Sequence, residues 1–176
     1  MNISALILDK LYPILTNYSF KVICDIENII YFYSSKIMIR IVFIENELSY
    51  YIEMGKKDEI LYPLSNSILK NIFNSDLKLE NATKETFVNN LCEIFQKVEG
   101  IAILNGNIDG FIKHAQEEIK KYNNNLGIKQ LLNLAEHAWE NNNYQDYIKI
   151  IEKLGIDKIP QVFLAKYKIA KKKYNL

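Results

Sequence analysis

The stretch FKVICDIENIIYFYSSKIMIRIVFIENELSYYIEM, residues 20–54, decides the fold. Its apolar residues recur at a period of two, the signature of a half-buried strand. Phe20, Val22 and Cys24 alternate with Lys21, Ile23 and Asp25 in the first run. IIYFYSS (29–35) follows after a short turn around 26–28, then KIMIRIVFI (36–44). A turn at 45–47 leads into LSYYIEM (48–54). Four β-rich runs with connections of a few residues predict an antiparallel meander. In the third run Ile37, Ile39, Ile41 and Phe43 share one purely apolar side, the expected core face. Met38, Arg40, Val42 and Ile44 share the other, which reads as partly covered. In the fourth, Ser49, Tyr51 and Glu53 mark the wet side.

The flanks switch to helical spacing. Leu6, Ile7, Leu11, Ile14 and Leu15 predict an N-terminal helix over 4–15, ended or bent by Pro13. After Gly55–Asp58, YPLSNSILKNIF (62–73) reads as a helix that starts at Pro63. Residues 74–83 are polar and aperiodic, the best candidate for a linker. Beyond them Phe87, Leu91, Ile94, Phe95 and Val98 predict a helix stopped by Gly100. Further helices are expected over 107–122, 128–140, 145–154 and from Gln161 on, with NNNLG and NNNY as joints. The fold class is therefore α+β. An N-terminal helix and four-stranded antiparallel meander (1–73) precede a C-terminal bundle of four to five helices (84–176).

The segment LAEHAWENNNYQDYIKIIEKL (134–154) tests whether that bundle is a repeat array. Tetratricopeptide-like arrays recur every ~34 residues. That step back from Ala138 and Trp139 lands on Leu104 and Asn105, and forward from Ala135 and Ala138 on Ile169 and Lys172. The pattern is not reproduced. What is expected instead is one helical hairpin in which Ala135, Ala138, Trp139 and Tyr147 pack internally.

The chain has 176 residues, 49% hydrophobic and 24% charged, the balance of an ordinary globular protein. Its richness in Ile, Asn, Lys and Tyr matches A/T-rich codons, so the Asn clusters carry no functional signal. A net charge of +1 argues against a global field for nucleic acid. Residues 156–176, however, hold six Lys and one Asp.

Catalysis is not indicated. His114 and His137 lie far apart without ligand-spaced partners, so a surface or capping role is expected and no metal site. Cys24 and Cys92 read as buried free thiols in a reducing compartment. Glu45/Glu47 and Glu117/Glu118 are ordinary solvated pairs, and residues 105–110 read as a turn and helix N-cap. No catalytic residue, cofactor site or Gly-rich phosphate loop is assigned. The N-terminus does not read as a signal peptide, and no apolar run spans a bilayer, so a cytoplasmic protein without membrane contact is expected.

Two surfaces stand out. Tyr31, Tyr33, Arg40, Tyr50 and Tyr51 concentrate aromatic and cationic groups on neighbouring strands, residue types favoured at protein interfaces. Lys166, Lys168, Lys171, Lys172 and Lys173 cluster with Tyr167 and Tyr174, either as a helix C-terminus complementing its dipole or as a nucleic-acid site.

The series FKVICD…NIIYFYSSKIMIRIVFIENELSYYIEM, then LYPLSNSIL, then AWENNNYQDYIKIIEKL…LAKYKIAKKK, resembles small uncharacterised bacterial proteins similar to the immunity proteins of polymorphic toxins. The resemblance implies a non-enzymatic protein-interaction module that neutralises a cognate toxin by binding, with no functional residues to transfer. The alternative is a nucleic-acid-associated protein using the Lys-rich C-terminal helix. Oligomeric state is left open by either reading.

Overall fold

Strand alternation is realised in a five-stranded antiparallel sheet of order β1-β2-β3-β4-β5. The computed structural model describes residues 2–26, 28–44 and 47–174; the side chains of 24–26 and 158 lie outside the described set. Cys24, expected as a buried thiol, and the turn residues Glu27, Glu45 and Asn46 are among what is not described. The strands are β1 (Lys21–Ile26), β2 (Ile29–Tyr33), β3 (Ile37–Ile44), β4 (Ser49–Lys56) and β5 (Tyr62–Pro63). The first four are the expected meander. The fifth, only two residues long, occupies sequence that helical spacing had claimed. Leu64 N–H donates to Ile52 O at 2.9 Å, which holds this segment extended against β4. The following helix therefore begins only after Ser65, whose hydroxyl accepts from Ile68 N–H.

The chain forms two compact units, Met1–Glu117 and Glu118–Leu176. The polar stretch expected to link two subdomains lies inside the first, where Leu79 is buried. Unit 1 holds the sheet with α1 (Ile3–Lys10), α2 (Tyr12–Thr16), α3 (Asn66–Ile72), α4 (Lys84–Gln96), α5 (Val98–Leu104) and the start of α6 (Asp109–Glu140). Pro13 sits in the first turn of α2, so it opens a second short helix where the first ends. Asn2 caps α1 through Ala5 N–H at 2.8 Å, and Thr83 caps α4 through Thr86 N–H. The inward residues of β3 and β4, among them Ile39, Ile41, Ile52 and Met54, are buried. The apolar stripe of α4 closes the same core with Phe87, Leu91 and Phe95. Tyr50 and Phe87 meet with ring centroids 5.5 Å apart.

Gly100 does not stop a helix. It is buried within α5, where a Cβ would collide with Ile94 O and lie 2.8 Å from Phe95 Cα. Its missing side chain lets α5 fold back onto the end of α4.

Unit 2 holds the rest of α6, then α7 (Tyr144–Leu154), a 3-10 turn (Ile156–Lys158) and α8 (Gln161–Tyr174). The expected joint at NNNLG is absent: α6 is continuous for 32 residues. Asn and Gly lower helix propensity by up to ~1 kcal/mol each, but no Pro or capping turn is present to stop propagation. The joint at NNNY is real. Asn142 adopts φ 57° and Asn143 caps α7 through Asp146 N–H. Gly155, at φ 87°, ends α7. Ala135, Tyr147, Ile151, Tyr167 and Ala170 form the unit's core, and Trp139 packs against both Tyr144 and Tyr147. The hairpin at 134–154 thus packs its aromatic joint internally, with Ala135 and Tyr147 buried and Ala138 and Trp139 half-buried.

Two glycines give opposite expectations in denaturant unfolding. Gly100→Ala should destabilise by about 1–3 kcal/mol through overpacking. Gly127→Ala, whose Cβ meets open space, should stabilise by about 0.5–1 kcal/mol through helix propensity.

Candidate functional site

Strand pairing sets the site. Ile23 stands opposite Tyr31, Tyr31 opposite Arg40, Arg40 opposite Glu53, and Glu53 opposite Pro63. One row of outward side chains therefore crosses all five strands. A second row runs Lys21, Tyr33, Met38, and a third Ile29, Val42, Tyr51. These residues are half-buried or exposed, in contrast to the sealed inner face. Ile23 is 43% exposed and Tyr51 51%, so at these positions apolar and aromatic area faces outward.

The ion pair sits at the centre. Nε and a terminal nitrogen of Arg40 both donate to Oε2 of Glu53. Burial pulls the Arg40 pKa down, but its bonds to Glu53 and the Tyr31 hydroxyl outweigh that, and the net direction is upward. The guanidinium is thus a fixed charge, oriented by two strands. Beside it a cleft of about 380 Å³ is lined by Tyr51, Glu53, Pro63, Leu64 and Leu79, and its surface is mostly apolar.

The two edges of the sheet are blunted. The β1–β2 register slips between Ile23 and Ile26, a bulge that interrupts the ladder. At the other side β5 is two residues long and ends in a proline. The open surface of the sheet is its face.

Of the five residues singled out in the sequence, Tyr31, Tyr33, Arg40 and Tyr51 come together on this face. Tyr50 does not: it is 8% exposed and points into the core against Phe87. Glu53, Ile23, Met38 and Val42 were not singled out. Period-two alternation places the last two on the face of Arg40, and sets Glu53 beside Tyr51 and Ile23 beside Lys21; register then lines Glu53 and Ile23 up with Arg40.

The C-terminal lysines are largely engaged within unit 2. Lys166 pairs with Glu136 and lies 5.5 Å from the centre of the Trp139 ring. Lys171 pairs with Glu152 at 3.1 Å and covers Tyr167. Lys173 donates to the Tyr144 hydroxyl at 2.9 Å. Lys168 and Lys172 have no partner among the described residues. Carboxylates thus neutralise Lys166 and Lys171, while Lys168, Lys172 and Lys173 keep their charge.

Other reactive groups are placed plainly. His114 is half-exposed beside Glu117, and the His137 ring meets the Asn141 amide. Cys92 is a free, partly buried thiol whose pKa burial pushes up, away from reactivity. Burial, aided by the Glu136 carboxylate, pushes the Tyr147 phenol up to about 12 while its hydroxyl donates to Phe163 O. Among the described residues no group of three or more His, Cys, Asp or Glu is placed to hold a metal ion, and no helix is long and apolar enough to cross a membrane.

No family model, curated protein or solved structure matches this chain.

The Glu152 carboxyl is held below the usual carboxylate range, first by the Tyr167 hydroxyl and then by Lys171. A depressed folded pKa stabilises the fold above the unfolded value, and that stabilisation is lost as pH falls through the folded one. Thermal melts from neutral to strongly acidic pH should therefore show a smaller acid-induced loss in Glu152→Gln than in the parent chain.

Proposed function

We propose that the protein is a non-enzymatic interaction module that captures a protein partner on the open face of its sheet. In this reading it acts in the cytoplasm as an immunity or antitoxin-type protein, neutralising a cognate toxin by occlusion. The observation that carries the proposal is the outward row Ile23–Tyr31–Arg40–Glu53–Pro63 with Tyr33 and Tyr51 beside it. Tyr and Arg are the side chains that most often dominate interface energies, and here they stand on rigid strands, so little ordering entropy opposes binding. The blunted edges add support, since they disfavour strand addition and leave the face as the available surface. The pairing of Lys166 and Lys171 with Glu136 and Glu152 weighs against the nucleic-acid alternative.

Co-expression with the product of the neighbouring gene tests the proposal. The parent chain should relieve growth inhibition by that product and co-purify with it. Tyr51→Ala, at an exposed position, should weaken the complex by about 2 kcal/mol without loss of fold. A neighbour that is neither toxic nor bound by this chain would sink the immunity reading.

A further inference from the structure

We infer that the open sheet face is also the contact between two copies of this chain, which pair face to face about a two-fold axis. The inference rests on the reading of that face as an interaction surface and names a second occupant for it. The charge pattern is what selects a second copy. Arg40 and Glu53 are directly opposed on adjacent strands, so the centre of the face carries one positive and one negative group side by side. A two-fold axis lying in the interface, midway between β3 and β4 and along the strands, places Arg40 of each copy opposite Glu53 of the other. Four charges then alternate in sign, which is the self-complementarity an isologous contact requires.

The surroundings suit such a contact. Tyr31, Met38, Val42 and Tyr51 flank the charges with apolar area that would be dried on pairing. Sheets packed face to face keep their strands within about 30° of one another, which this axis direction permits. The five strands together hold 29 residues, which at about 3.3 Å per residue and about 4.8 Å between strands gives a face on the order of 450 Å². Two such faces bury about 900 Å², the size of a weak, transient contact, so the dimer is expected to be reversible and concentration-dependent. Because the same face serves the heterologous partner in the proposal above, the dimer and the hetero-complex exclude each other.

Sedimentation velocity of the full chain across a wide concentration range tests this, with circular dichroism to confirm that every variant folds. The parent chain should move from monomer to dimer as concentration rises. R40E and E53R should each raise the dissociation constant at least ~10-fold, because like charges then meet across the axis. An equimolar mixture of the two should recover a dimer, since one face is then wholly negative and the other wholly positive. Y51K, which leaves the central ion pair untouched, should also weaken the dimer and stands in if a charge variant fails to fold. A parent chain that stays monomeric overturns the inference, as does a dimer indifferent to all three substitutions. Neither result touches the co-expression experiment, which judges the heterologous partner separately.

Discussion

β3 is hydrogen-bonded along its length to β2 on one side and β4 on the other, and its register fixes the position of every other strand residue. Because side chains alternate with a period of two, a slip of one residue would drive Arg40 into the core and expose Ile39 and Ile41. Burial of Ile37, Ile39, Ile41 and Phe43 against the helices makes that slip prohibitive. The same constraint that seals the inner face therefore aligns Tyr31, Arg40 and Glu53 on the outer one. The candidate surface and the core are two sides of a single choice of register.

The helical unit is organised by a different device. Small residues, Ala135 and Ala170, sit at the helix contacts, while Tyr147 and Tyr167 fill the space between α7 and α8 and satisfy their hydroxyls on Phe163 O and Glu152. Each buried aromatic thus keeps a polar anchor, which limits how far the helices can slide. Cationic lysine heads lying over Trp139, Tyr144 and Tyr167 close the outside of the same cluster. Charge that stands out in the sequence is in this way folded back onto the protein's own aromatics.

Legibility in the sequence followed the range of the governing interaction. Strands β1 to β4 were readable because alternation is local. The two-residue β5 was not, because only its partner strand holds Tyr62 and Pro63 extended. Gly100 read as a stop, whereas its role is to admit the backbone of α4, a tertiary demand invisible in a one-dimensional pattern. The run NNNLG read as a break although nothing in it can terminate a helix that propagates from both sides. Within the candidate surface, Arg40, Tyr51 and Glu53 followed from alternation, but the pairing of Glu53 with Arg40 became visible only through register. Tyr50 was grouped with them by residue type, and its neighbour in sequence lies on the opposite side of the sheet.

The strand order of the sheet is also its order along the chain, and this bears on how the protein forms during synthesis. Each strand pairs with the one made just before it, so hairpins can close one after another as the chain emerges, at small loop-closure cost. The inner face gains its α4 cover only once residues 84–96 have followed. In that interval α1 and α2 are already made to cover the apolar side, and the bulge of β1 and the proline of β5 guard the edges of the nascent sheet.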